Sequence, residues 1–109
     1  MSEELFDLGD LQISYNNKAY DGITRQFAES LGIPEAVIAA AEVDAKWSHI
    51  RAKRNSILRE CDWTQIPDIP DGDEKSQWAT YRQALRDLPQ TYPNPDDVVW
   101  PLAPTVYPT

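Results

Sequence analysis

From Pro34 to Glu60 nothing in the chain breaks a helical pattern, and within that run Val43, Trp47, Ile50, Arg54, Ile57 and Cys61 recur at spacings of four, three, four, three and four. That period gathers six side chains into one stripe, apolar except for Arg54. Pro34 suits a helix's first turn, where its missing N–H costs nothing. One long helix over about 34–60 is therefore expected. In a chain of 109 residues, which has room for one core and little more, the remaining segments must lean on it or on a partner.

What flanks this run sets the architecture. Asp62-Trp63-Thr64 followed by Pro67, Pro70 and Gly72 stops the helix. A further helix over about 74–88 follows from Trp78, Tyr81, Leu85 and Leu88 at spacings of three, four and three. Two helices joined by a proline-rich loop make an antiparallel helical hairpin, whose contact is expected to include Trp47, Ile50, Ile57, Trp78, Tyr81 and Leu85. Beyond Pro89, the prolines at 93, 95, 101, 104 and 108 predict an extended tail.

Upstream, residues 5–20 read LFDLGDLQISYNNKAY, with Gly9-Asp10 and Asn16-Asn17 as turn candidates around the alternating Leu11, Ile13 and Tyr15. Both a short β-hairpin and an irregular arm fit this pattern. Asp21 is the expected cap of a short helix, about 22–31, with Ile23, Phe27 and Leu31 four apart and Gly32 as its stop. The fold class is thus mainly α, a small domain built on the helical hairpin. It is divided into an acidic arm and short helix (1–44), the hairpin (45–103) and an extended end (104–109).

Charge narrows the partners. The net charge is −8, and residues 1–44 carry −7 of it, nine acids against Lys18 and Arg25. Such a surface repels phosphate backbones and anionic lipid, so neither nucleic acid nor membrane is expected as a partner. Cys61 is the lone cysteine, which excludes an intramolecular disulfide. The start MSEELFDLGD lacks the basic and apolar runs of a signal peptide, and no apolar stretch reaches membrane-spanning length. Synthesis and residence in a cytoplasm are expected, unless a particle carries the protein out.

No catalytic, cofactor-binding or metal-binding set is expected. One His and one Cys fall short of a zinc site, and Asp71-Gly72-Asp73-Glu74 lacks the ligand spacing of a calcium loop. His49 has no nucleophile near it in sequence and reads as a surface or satisfied histidine, and no glycine-rich phosphate cradle follows a strand. Arg54 on the stripe admits two readings. It pairs with a carboxylate, Asp62 or Asp87, or it lies at the stripe's edge with its guanidinium in water. Of the four tryptophans, Trp47 and Trp78 fall on helix stripes and read as core, whereas Trp63 and Trp100 stand beside turn residues or proline and are candidate partner anchors.

The run Trp47, Arg51, Arg54-Asn55, Leu58, Asp62-Trp63-Thr64-Gln65-Ile66-Pro67-Asp68, then Trp78-Ala79, Tyr81-Arg82-Gln83-Ala84-Leu85-Arg86-Asp87-Leu88-Pro89, then Trp100-Pro101 resembles the phage tail assembly chaperone family over about 45–103. Where that family has Leu-Leu after its Arg-Asn pair, this chain has Ile57-Leu58. The resemblance implies a helical hairpin encoded near tail genes, assisting the folding or attachment of a trimeric tail-fibre protein, with no catalytic residues. It implies that Arg54, Tyr81, Arg86 and Asp87 gather between the helices to fix their register. Two fates fit it, release in the host cytoplasm after assembly or retention in the virion tail. The residues assign no oligomeric state. Trp100, Pro101, Val106 and Tyr107 give the stiff tail apolar anchors; Trp100-Pro101 equally fits folding back to cap the hairpin, whereas 102–109, alone or with the N-terminal arm, is the expected fibre-binding segment. A rival reading from another class is an acidic mimic of nucleic acid that inhibits a host enzyme.

Overall fold

The computed structural model describes residues 9–108. The beginning of the N-terminal arm, residues 1–8 with Glu3, Glu4 and Asp7, and the last residue of the tail lie outside the described residues. Two strands, β1 (Leu11–Tyr15) and β2 (Lys18–Ile23), precede a short helix α1 (Arg25–Ser30) and the long helix α2 (Glu35–Glu60). A 3₁₀ turn (Asp62–Gln65), helix α3 (Asp73–Arg86), a one-turn helix α4 (Leu88–Thr91) and a second 3₁₀ turn (Pro95–Asp97) follow. The chain divides into two compact units between His49 and Ile50, inside α2.

In the first unit, of the two forms the sequence leaves open, the arm takes the hairpin. Asn16 and Asn17 both adopt positive φ, 52° and 64°, as the two central residues of a type I′ turn do, and asparagine tolerates that region. β1 and β2 pair antiparallel from Tyr15 opposite Lys18 back to Gln12 opposite Asp21, and Leu11 then faces Ile23. Gly22 is thus the extra residue of a bulge. Its φ is +70°, and a Cβ on it would sit 3.3 Å from the Gly9 carbonyl oxygen, so glycine suits both the turn of the chain and the close approach.

The strand pairing overturns the expected start of the first helix. Asp21 is held in β2, and Thr24 is the cap instead, its hydroxyl oxygen accepting from the Phe27 N–H at 3.0 Å. The buried residue of α1 is Ala28, while Phe27 and Leu31, expected on its apolar face, are exposed. Gly32, at φ +77°, ends the helix as expected.

Leu11, Ile13, Ala28 and Ile33 form one core cluster with Ile38, Ala41 and Ala45 of α2, and Tyr15, Tyr20, Ile23 and Val37 pack at its edge. In this part of α2 the buried face is therefore the row 38, 41, 45. Val43, the first residue of the expected stripe, is exposed, and Trp47 is half-buried. Small alanines at two of the three positions let the hairpin and α1 approach the helix closely. Arg25 fastens the same assembly, because its guanidinium reaches Glu42 (2.6 and 2.9 Å), Glu35 (2.7 and 2.8 Å) and Glu29 (3.1 Å). The hydrogen bonds from Arg25 hold the Glu35 carboxyl below the ordinary glutamate range.

In the second unit the last turns of α2 and helix α3 are joined by residues 61–72. This loop is clasped by its own polar groups. Thr64, fully buried, donates its hydroxyl to the Cys61 carbonyl at 2.7 Å, and Gln65 Nε2 reaches the Lys75 carbonyl at 3.0 Å. Lys75 Nζ in turn donates to the carbonyls of Ile69 (2.8 Å) and Ile66 (3.3 Å). The third expected helix, about 74–88, is two elements. α3 ends at Arg86, and Leu88-Pro89 opens a new single turn, since proline fits a first turn but not a continuing one.

Candidate functional site

The second unit holds most of the aromatic and charged residues singled out in the sequence, Trp47 and His49 falling in the first. Acidic Asp73 and Glu74 favour the N-terminus of α3, and its spacing then sets Trp78, Arg82 and Leu85 on one buried face. Trp78 is 4% exposed, yet an indole N–H in that position requires an acceptor. The acceptor comes from the far end of the chain, the carbonyl of Val106 at 2.8 Å. Tyr107 then lays its ring against Trp78 (centroids 5.1 Å apart, planes at 21°) and against Trp63 (5.8 Å, 24°), and Tyr81 meets Trp78 edge-on at 5.6 Å. Pro108 is buried.

These contacts correct the expected free tail. Residues 98–108 carry no helix or strand, but their end is docked on α3 and on the 3₁₀ turn that carries Trp63. The segment is held upstream as well. Asn94 Oδ1 accepts from the Asp96 N–H at 2.9 Å, Tyr92 Oη reaches the Val99 carbonyl at 3.4 Å, and Lys53 Nζ stands 4.4 Å above the ring of half-buried Trp100. The docked end stays in contact with solvent. Tyr107 is 58% exposed and Trp63 41%, and Val106 and Ile66 are also exposed, so the stack is an apolar surface with two aromatic rings on it. Further along the same segment Val99 is exposed, and Leu102 is almost fully so at 94%.

The buried cation of this unit is Arg82, whose side chain is 8% exposed. Its guanidinium donates to the Leu58 carbonyl at 2.8 Å, to Cys61 Sγ at 3.1 Å and to Asp62 Oδ1 at 2.7 Å, while Nε is buried without a partner. Burial opposes its charge, and the hydrogen bonds to Asp62 and Cys61 outweigh that, raising its pKa. The carboxylate partners expected for Arg54 are used elsewhere. Asp62 holds Arg82, and Asp87 accepts from Gln83 at 2.9 Å. Arg54 takes the edge position, half-buried, its Nε donating to exposed Asn55 at 3.2 Å. Of the set implied to gather between the helices, Tyr81 is half-buried beside Trp78 and Arg86 is exposed. Arg82's position was open to discovery, for it falls four residues after Trp78 and three before Leu85.

In the first unit His49 Nε2 lies 2.8 Å from Asp10 Oδ2 at a shallow cleft lined also by Gln12, Asp44 and Ser48. His49 is mostly exposed, the surface position expected of it. Among the described residues no three His, Cys, Asp or Glu side chains cluster so as to hold a metal ion, and no helix is long and apolar enough to cross a membrane. What the arrangement presents is apolar surface: stacked rings, exposed aliphatic side chains and a docked C-terminal segment.

The family model described as phage tail assembly chaperone protein matches residues 47–105, which hold Trp63, Trp78, Arg82, Trp100 and the approach to the docked end. The solution structure of protein CV0426 from Chromobacterium violaceum is similar at a TM-score of 0.55 and 36% identity, over 88% of this chain and 98% of that one. A comparison with curated proteins finds no match. The chain belongs to the phage tail assembly chaperone family.

Proposed function

We propose that this chain is a non-enzymatic assembly chaperone or adaptor for a tail-fibre protein, binding it through the apolar surface of the second unit. The observation that carries this reading is the family match over 47–105. The exposure of Trp63, Tyr107, Val99 and Leu102 within or beside that stretch supports it, since buried aromatic anchors dominate interface energetics. Intertwined fibre trimers expose strand edges and apolar surface while they fold, and a small partner that covers them suppresses aggregation. The first unit, with its own core and a salt-bridged acidic surface, keeps such a complex soluble.

The reading as a nucleic-acid mimic draws on the negative charge of residues 1–44. Three of those acids, Glu29, Glu35 and Glu42, converge on Arg25, which lowers the charge available to imitate a phosphate array. The test is co-expression with the fibre gene of the same phage, followed by affinity capture of this chain. Recovery of the fibre protein in stoichiometric amounts is expected. A soluble, correctly trimeric fibre that is neither captured nor improved in yield by co-expression would sink the proposal. Mass spectrometry of purified virions then separates release after assembly from retention in the tail.

A further inference from the structure

The docked end of the chain shows what its seat selects. Trp78 supplies an indole N–H to a main-chain carbonyl at 2.8 Å, Trp63 and Trp78 supply two faces to one aromatic ring, and the following proline is buried. These are the elements by which aromatic-lined grooves read extended, proline-containing peptides: a donor for a carbonyl, stacked rings, and a backbone that is stiff before it binds. The ligand in the seat, Val106-Tyr107-Pro108, is held by one side-chain hydrogen bond to its Val106 carbonyl and by rings, with Val106 and Tyr107 still half in solvent. It has no regular secondary structure to lose on leaving.

We propose that the Trp63–Trp78 groove is a peptide-docking site that the chain closes with its own C-terminal residues. The partner segment it accepts is an extended stretch of another tail protein that presents an apolar residue, an aromatic ring and a proline in succession. This rests on the chaperone reading and narrows it to the kind of segment recognised. A second copy's tail has no advantage over the chain's own, which is tethered at an effective concentration of order mM. A partner segment displaces the resident one by adding contacts, and exposed Val99 and Leu102 upstream of it are placed to supply them. The resident segment thereby keeps the aromatic groove covered until the partner arrives.

The probe is a fluorescent hexapeptide of sequence Pro-Thr-Val-Tyr-Pro-Thr titrated into the full chain. Tyr107→Ala empties the space between the two tryptophans, and Tyr107→Phe keeps it filled. Binding at least about tenfold tighter to Tyr107→Ala than to the wild type is expected, because the tethered competitor is lost. Tyr107→Phe should behave as wild type, and Trp63→Ala added to Tyr107→Ala should abolish binding. Equal or absent binding with helical circular dichroism preserved overturns the proposal. So does unfolding of Tyr107→Ala, which would make the segment a brace and not a closure. Concentration-dependent dimers of the wild type would assign the groove to a second copy and overturn the partner assignment. Peptide binding without fibre capture would leave the groove standing and remove the fibre. Fibre capture undiminished by Trp63→Ala would do the reverse.

Discussion

The indole of Trp78 donates its N–H to the carbonyl of Val106, 28 residues away, and this bond, with the Tyr107 ring stacked on the same indole, holds the C-terminal end of the chain on helix α3. Trp78 therefore serves two structures at once, the buried face of α3 and the seat of the tail. Trp78→Ala should cost roughly 3–5 kcal/mol, as large-to-small aromatic changes in cores do. Denaturant unfolding followed by circular dichroism measures it. A loss under about 1 kcal/mol, the scale of ordinary surface changes, would contradict the core role.

Truncation after Ala103 tests the docked end directly. A free tail would leave the melting temperature unchanged. Here the truncation removes the acceptor of the Trp78 N–H, a bond worth about 0.5–1.5 kcal/mol net, together with the Tyr107 stack. The melting temperature should fall by several degrees, about 4–8 °C for each kcal/mol in a domain of this size. Tryptophan emission should shift to the red as Trp78 meets water. An unaltered melting curve would show that the docking contributes nothing to stability.

The elements set by local rules were legible in the sequence. An uninterrupted run gave α2, and Asn16-Asn17 between alternating residues pointed to a hairpin as one of two options. What could not be read was which of two local rules wins when they conflict. Asp21 is a good cap, but pairing with Gln12 places it in a strand, and Thr24 caps α1 instead. The α2 stripe drew attention to Arg54, because one charge in an apolar row stands out. Arg82 sits in a row whose apolar members, Trp78 and Leu85, stand out by their spacing alone, and the buried cation is there. The tail misled for a different reason. Five prolines keep a long helix from forming there but say nothing of where the segment lies, and the missing clue was on the other side, in the acceptor that a buried Trp78 requires.

Arg82 makes its three hydrogen bonds with a planar fork whose geometry a lysine cannot copy. Arg82→Lys should cost about 1.5–3 kcal/mol, the usual worth of hydrogen bonds to a charged group. Asp62 is 62% exposed, so Asp62→Asn should cost much less, about 1 kcal/mol or under, as partly solvated ion pairs do. Comparison of the two urea midpoints decides it, and equal losses would mean that the pair acts mainly through Asp62.

Acid should loosen the first unit through Glu35. Its carboxyl is held below the ordinary glutamate value of 4.5 by hydrogen bonds from Arg25, so the unfolded chain binds a proton at a pH where the folded chain does not. The stabilisation is accordingly present in full above the ordinary glutamate range and is lost as pH falls through the lower folded value. Glu35 is exposed, and the effect should shrink in high salt. Unfolding midpoints measured from neutral pH down through the carboxylate range should fall less steeply in Glu35→Gln than in the wild type. Parallel curves would show that Arg25 favours Glu35 no more in the folded chain than in the unfolded one.

Val99 and Leu102 provide the sharpest separation of binding from folding. Both side chains are exposed, Leu102 at 94%, so an acidic replacement at either removes little buried surface and should change stability by no more than about 0.5 kcal/mol. Leu102 lies between the Lys53–Trp100 contact and the Trp78–Val106 bond, and Val99, whose carbonyl accepts from Tyr92 Oη, directly precedes Trp100, so both stand on a held backbone. Burying an unpaired carboxylate in an apolar interface is strongly unfavourable, so Val99→Asp with Leu102→Asp should abolish capture of the fibre protein. The melting temperature should stay within a few degrees of wild type. Capture at wild-type levels with the double variant folded would place the fibre contact elsewhere on the chain. The exposed Phe27 and Leu31 of the first unit would then be the next residues to change.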